Sequence, residues 1–362
     1  MAKLYGREYT KNQILELVGD ISQVCYAKPV KLTDGNQEGV DAVLVSTGSG
    51  LSFMVLPGRG MGISNADFKG SALGWMSSTG EIASAFYEPE GLGWLRGFYG
   101  GLLATCGLTY IGAPCEDNGE ELGLHGRASY TPARNVWVDG KWDGDDYWVW
   151  VQGKIREATV FGENLVLTRK ISAKLGDSKI FIEDTVENLG FERTEHMFLY
   201  HFNIGFPLLD EGSEFIAPSI SVTPRDEEAA VGQEDYYKVS APVPGYKEKV
   251  YYHELASLPD GSTKVGLINR NFNNKQGLGI YIAYSKKELP NLVQWKMVGQ
   301  GHYVMGIEPA NSWVSGRDLA RKDGTLKYLE PGEKRSYKLE IGVLESQEEI
   351  EKLTREIKAI KE

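Results

Sequence analysis

Between two short helical ends, the sequence runs as a long succession of strand-length apolar or alternating stretches broken by turn residues. That pattern constrains the fold more than any other feature. The stretches are residues 43–46, 52–56, 148–152, 165–173, 179–186, 196–204, 249–257, 265–269, 279–284, 293–297 and 334–343. Asp177, Asn188-Leu189-Gly190, Pro259-Asp260-Gly261 and Pro331-Gly332 mark turns between them. Strands do not alternate with helices, so a doubly wound α/β fold is not expected. The pattern predicts an all-β protein, a large antiparallel β-sandwich with short N- and C-terminal helices. Residues 9–21 predict the first helix, with Thr10 as N-cap and Ile14, Leu15, Leu17 and Val18 as its apolar residues. Residues 346–361 predict the second, opened by a Ser346/Glu349 capping box and striped by Ile350, Leu353, Ile357 and Ile360. No fixed-period repeat and no low-complexity linker interrupts the chain, so one domain over residues 1–362 is expected.

Composition narrows the function classes. A formal net charge of −11 argues against nucleic acid and against anionic membrane surfaces, both of which need clustered Lys and Arg. Three cysteines, Cys25, Cys106 and Cys115, make an odd number with no metal-binding spacing, so neither a disulfide framework nor a cysteine metal site is expected. The N-terminus carries charges throughout and lacks an apolar signal core. No run of 18 apolar residues exists. A cytoplasmic protein is expected. The 43 glycines, 19 tyrosines and 8 tryptophans suit many turns and strands, and flat rings also suit the C–H faces of a sugar.

Residues 71–134 differ from the rest, being rich in glycine and aromatics, and predict long loops over one sheet face, where sites tend to sit. Five histidines can be judged singly. His125 sits in Leu124-His125-Gly126-Arg127, where glycine leaves room beside the ring and Arg127 adds donors. His201 and Asn203 share one face of their strand, while Phe198, Tyr200, Phe202 and Ile204 face the other way, into the presumed core. Glu308, between Ile307 and Pro309 at a strand end, has the setting of a general base tuned by partial burial. His302, six residues earlier, falls on the same face of a regular strand. His253, in Tyr251-Tyr252-His253-Glu254, reads as an ordinary strand residue. Arg59 and Arg96 stand among glycines, where guanidinium groups can reach sugar hydroxyls or an anion. No P-loop, dinucleotide fingerprint, Gly-x-Ser-x-Gly elbow or His-Glu-x-x-His pair is present.

Residues 180–208, with the Asn188-Leu189-Gly190 turn leading to His201-Phe202-Asn203, resemble the central signature of the aldose 1-epimerase (galactose mutarotase) family. Leu124-His125-Gly126 resembles its Leu-His-Gly loop. The run from Leu289 to Trp295, followed by Gly306-Ile307-Glu308-Pro309, resembles its late strands. The similarity spans about residues 40–345 and is nearest to an uncharacterised branch of the family. The usual His-Pro-Tyr-Phe-Asn is shortened here to His201-Phe202-Asn203, and the family's early Asn-Arg pair has no clean counterpart except Arg96. The resemblance implies a super-sandwich fold and anomer interconversion by acid–base catalysis without a cofactor. Glu308 would be the base, His201 the acid, and His125 a second acid or polarising group. Arg59, Arg96, Arg127, Asn203, His302 and Trp295 would bind a small-molecule sugar. Two alternatives remain open at this point. One is an isomerase, epimerase or lyase on a keto or acidic sugar, assisted by a metal at His125, His201, His302 and Glu308. The other is a non-catalytic sugar-binding protein.

Overall fold

The structure, a computed structural model, describes residues 1–361. Two large antiparallel sheets share one apolar core. The order across the eleven-stranded sheet is Ser219–Pro224, Lys249–Leu255, Asn291–Gly299, His302–Ala310, Leu199–Gly205, Leu103–Cys106, Gly62–Phe68, Leu51–Leu56, Asp41–Ser46 and Tyr26–Lys31, with Ser71–Ala72 paired to Gly62–Phe68. The eight-stranded sheet runs Arg134–Asp143, Asp146–Ala158, Asn164–Lys174, Lys179–Asn188, Lys334–Leu344, Leu278–Ser285, Ser262–Asn269 and Glu214–Ile216. Strands hold 47% of the chain and helices 15%, so the all-β expectation is met. No helix among the described residues is long and apolar enough to cross a membrane.

Alternation sets which residues enter the core. Val149, Val151, Ile180, Ile182, Leu339 and Ile341 of the eight-stranded sheet meet Val43, Val45, Phe53, Ile63, Tyr200 and Phe202 of the other. One polar network crosses this core. Arg169 pairs with Asp184 at 2.6 Å and donates to the Met61 carbonyl and Thr105 Oγ1 in the opposite sheet. Tyr200 donates to the same Asp184 at 2.6 Å. A buried pair without such added bonds would be a net cost. The network therefore fixes the strand Leu199–Gly205 in depth and register, and that register aims His201 at the opposite face.

That opposite face is not solvated. A second apolar cluster covers it, built from loop residues such as Trp94, Phe98 and Tyr110 packed on Met197, Leu199 and Val293. Every residue of Leu199–Gly205 is buried as a result. The covering loops come from the glycine-rich stretch anticipated from the sequence.

The ends differ from expectation in one respect. Thr10 caps a helix as expected, in a reciprocal box with Gln13, but the helix stops at Leu15 and a short 3-10 turn, Ile21–Gln23, follows. Leu17 is left exposed, so the apolar periodicity there had no second face to meet. The C-terminal helix, Gln347–Lys361, buries Ile350, Leu353 and Ile357 against Ile268, Tyr281 and Leu344. Strands that the sequence does not signal include Tyr26–Lys31, Gly62–Phe68, Leu103–Cys106, Arg134–Asp143 and Ser219–Pro224. They are short or rich in Gly, Asp, Asn and Lys, and pairing with neighbours overrides that weak local preference.

Candidate active site

A cavity of about 680 Å³ opens on the loop-covered face of the eleven-stranded sheet. Its floor follows from strand register. Glu308 is paired with Val293 on one side, and the register of Leu199 with Ala310 and Phe202 with Ile307 sets His201 directly across on the other. His201 in turn lies opposite Ala104, whose small side chain leaves space beside the imidazole. His201 Nε2 is 3.3 Å from Glu308 Oε1, without the alignment of a hydrogen bond. Both side chains are almost wholly buried.

The roof comes from loops tied by backbone bonds. Leu124 N–H donates to the Gly91 carbonyl, His125 N–H to the Gly112 carbonyl, and Ala113 N–H to the Val314 carbonyl. His125 sits at φ 57° and Gly126 at φ 73°, both left-handed. A Cβ on Gly126 would lie 2.4 Å from the Tyr110 carbonyl oxygen, so the turn closes this tightly only with glycine there. The turn holds the His125 ring 5.5 Å from that of His201, edge to face, and 5.0 Å from Trp94. Gly112 N–H donates to His125 Nδ1 at 3.4 Å, which leaves Nε2 to carry the proton of the neutral ring. Phe98 and Trp295 pack on His201 at 5.2 and 5.6 Å.

These surroundings set the protonation states. Burial pushes the Glu308 carboxyl well above the usual carboxylate range, Glu248 adds to the shift and Arg225 opposes it. Burial, reinforced by His125, pushes His201 well below the ordinary imidazole value. Burial brings His125 down to about 4. At neutral pH both imidazoles are therefore neutral, and burial favours the protonated form of Glu308 over the carboxylate. Three polar atoms here are buried without a partner: His201 Nδ1, Asn203 Oδ1 and Glu308 Oε1. Native proteins leave few such atoms, and their clustering is what a site for a hydrogen-bonding ligand would show.

One glycine shapes the base of the site. Gly306 pairs with both Trp295 and Asn203 on neighbouring strands. A Cβ there would stand 2.5 Å from Glu308 Oε1 and 2.9 Å from Trp295 Cβ. Gly306→Ala is therefore expected to push the carboxylate away from His201, and any turnover that depends on this pair should fall by about 10²-fold, the scale of a 1 Å misplacement. Its far-ultraviolet circular dichroism should match that of the parent protein, and unaltered turnover would show that the carboxylate position is not critical.

The structure brings together His125, His201, Glu308 and Trp295, all lining the cavity, with Asn203 buried beside His201. It does not bring in the other expected binding residues. The Arg59 guanidinium is buried and occupied by the carbonyls of Ser129, Ile82 and Gly97, between the rings of Tyr99 and Tyr130. Arg96 is exposed and paired with Glu88 at 3.0 Å. Arg127 is exposed and lies outside the cavity. His302 is exposed at the far end of the strand that carries Glu308: the same face, but six residues away. The cation that does line the cavity is Arg225, which bonds Asp226 at 2.9 Å and Glu248 at 3.1 Å. Glu248 also accepts from Trp295 Nε1 at 2.8 Å. Nothing in the local sequence of Arg225 or Glu248 marks them, because strand pairing alone delivers them. Among the described residues, no three His, Cys, Asp or Glu side chains converge as metal ligands. A wider furrow of about 720 Å³ crosses the outer face of the eight-stranded sheet, but it contains no histidine and no buried carboxylate.

The sequence model for a domain of unknown function, DUF4432, matches residues 37–343. The chain belongs to the DUF4432 family. No curated protein matches the sequence. Among solved structures, a "putative aldose 1-epimerase" from Klebsiella pneumoniae subsp. pneumoniae MGH 78578 superposes with a TM-score of 0.88 at 27% identity, covering 93% of this chain and 88% of that one. A galactose mutarotase-like protein from Clostridium acetobutylicum gives 0.61 at 15% identity over 89% and 99% of the two chains. Galactose 1-epimerase from Lactobacillus acidophilus NCFM gives 0.53 at 14% identity over 89% and 100%. This DUF4432 protein thus has the mutarotase-like fold, in an uncharacterised branch.

Proposed function

We propose that the protein is an aldose 1-epimerase that interconverts sugar anomers by acid–base catalysis. The observation that carries the reading is the Glu308–His201 contact inside an aromatic cavity, with unpartnered polar atoms on both residues. The name and fold similarity of the Klebsiella protein support it, and so does the name of the Lactobacillus galactose 1-epimerase. A protein that only bound sugar would not need an acid and a base in contact.

The chemistry needs one proton on the pair. With that proton on His201, Glu308 is a carboxylate and takes the proton from the O1 hydroxyl. The O1 electrons form the C1 carbonyl, the C1–O5 bond breaks, and His201 gives its proton to O5. Glu308 is now protonated and His201 neutral, which is the state burial favours. The aldehyde rotates about C1–C2. Reclosure runs the same transfers in reverse and returns the other anomer. His125, donating from Nε2, can hold the ring oxygen as it develops charge.

A pH dependence follows. The active pair has one proton, and the states with two or none are inactive. The raised Glu308 keeps its proton to higher pH than a free carboxyl, and the depressed His201 resists a second proton until lower pH than a free imidazole. The expected kcat profile is a plateau bounded by an acid limb and an alkaline limb. Polarimetry or NMR exchange on a freshly dissolved anomer would measure it against the spontaneous rate. A profile that rises with a single ordinary carboxylate pKa and then stays flat would contradict the shared proton.

A further inference from the structure

The cavity walls carry information about the substrate beyond its reacting carbon. One wall is charged, but its charge is more than answered within the protein: a single guanidinium, Arg225, bonds two carboxylates, Asp226 and Glu248. No other Arg and no Lys lines the cavity. An anionic sugar would therefore meet a wall that is net negative, next to the Glu308 carboxyl. The mouth is apolar. Leu92, Leu95 and Leu319 line it and are 60%, 47% and 41% exposed. They come from two distant segments, the first two from a loop and 3-10 turn and the third from the helix Arg317–Lys322. That helix is held in place by its own ion pairs: Arg317 and Arg321 both bond Asp117, at 2.6 and 2.7 Å. Three large aliphatic side chains convergent at the mouth of a site, on a rigid mount, mark a contact surface rather than scattered exposure. The volume, about 680 Å³, is within the range of cavities that enclose drug-sized ligands and exceeds what one pyranose ring fills.

We propose that the site selects a neutral aldose whose end remote from C1 is apolar, a deoxy or O-alkylated sugar, in preference to a uronate or a sugar phosphate. The proposal rests on the anomer-exchange reading for where C1 sits, but its recognition component stands on the walls alone. With C1 at Glu308 and His201, the remote end of the ring reaches the leucines. A methyl group there gains apolar contact with the leucines that a hydroxyl does not.

The test compares matched sugars on the purified full-length protein. Glucose and galactose are set against their 6-deoxy forms, their 6-uronates and their 6-phosphates, by exchange kinetics and, separately, by ligand-observed NMR binding. The 6-deoxy sugar is expected to exceed its parent by about 10-fold or more in kcat/KM, the scale of one apolar group in a fitted pocket, and the two anions are expected to fall below the parent. Leu92→Ser and Leu319→Ser should each shrink the deoxy-to-parent ratio toward one. Equal handling of deoxy and parent sugars, preference for an anion, binding of none of them, or an unchanged ratio in both serine variants would overturn the proposal. If the deoxy sugars bind preferentially but no sugar exchanges anomers faster than it does spontaneously, the selectivity stands and the anomer-exchange reading fails.

Discussion

Glu308→Gln is expected to lower anomer exchange by about 10²–10⁴-fold, the usual contribution of a positioned general base, without loss of stability at neutral pH. The amide keeps the shape of the side chain and its place opposite His201, but it can take no proton. The stability half follows from the direction of the pKa shift. Burial raises the folded-state pKa of Glu308 above its unfolded value. What the group contributes to stability is therefore fully present below the unfolded pKa and is lost as pH rises through the folded one. At pH 7 the unfolded chain ionises this carboxyl freely while the folded protein must hold it protonated or leave it charged in an apolar site. Glutamine has no such pH dependence. Thermal unfolding of the variant at pH 7 should therefore occur at the wild-type temperature or above, and its advantage should shrink toward pH 4. A variant that unfolds much earlier and loses activity with its structure would mark Glu308 as a packing residue. A variant that keeps full activity would remove it from the chemistry.

His201→Ala is expected to cost about 10²–10⁴-fold as well, with a distinct signature. The alanine opens space between Phe98, Trp295 and the His125 ring, on the floor of an already open cavity. Free imidazole can enter that space, and millimolar imidazole should restore part of the lost rate. A packing role predicts no such rescue. The suitable control is His302→Ala, at the exposed far end of the Glu308 strand, which should leave both rate and stability close to wild type. His253 would serve poorly as a control. It is a core histidine, bonded to Ser219 at 2.9 Å and Gln294 at 3.1 Å, and its removal strands both partners. The sequence presents His253 and His201 in similar apolar strands, and only the neighbours delivered by pairing separate a structural histidine from a chemical one.

The sequence by itself determined the β architecture, because alternation along a strand is a local property that any two-faced sheet must satisfy. It determined the inward set Phe198, Tyr200, Phe202 and Ile204, and therefore the outward direction of His201, by the same period of two. It also marked His125 and Glu308, since a histidine among loop glycines and a carboxylate in an apolar strand are unusual in their own neighbourhoods. Tertiary structure alone decided the rest. Cross-strand register set Glu308 opposite His201, and register depends on the sum of pairings over the whole sheet. The fate of each arginine was decided at long range too. Arg59, in a glycine loop, is consumed by carbonyls from three distant segments, while Arg225, unremarkable in sequence, reaches the cavity because it follows the edge strand Ser219–Pro224, which pairs with Lys249–Leu255, and its N–H donates to the Val250 carbonyl. A guanidinium's role is set by which acceptors surround it, and apart from Asp226, the chain neighbour of Arg225, those acceptors lie 23 or more residues away.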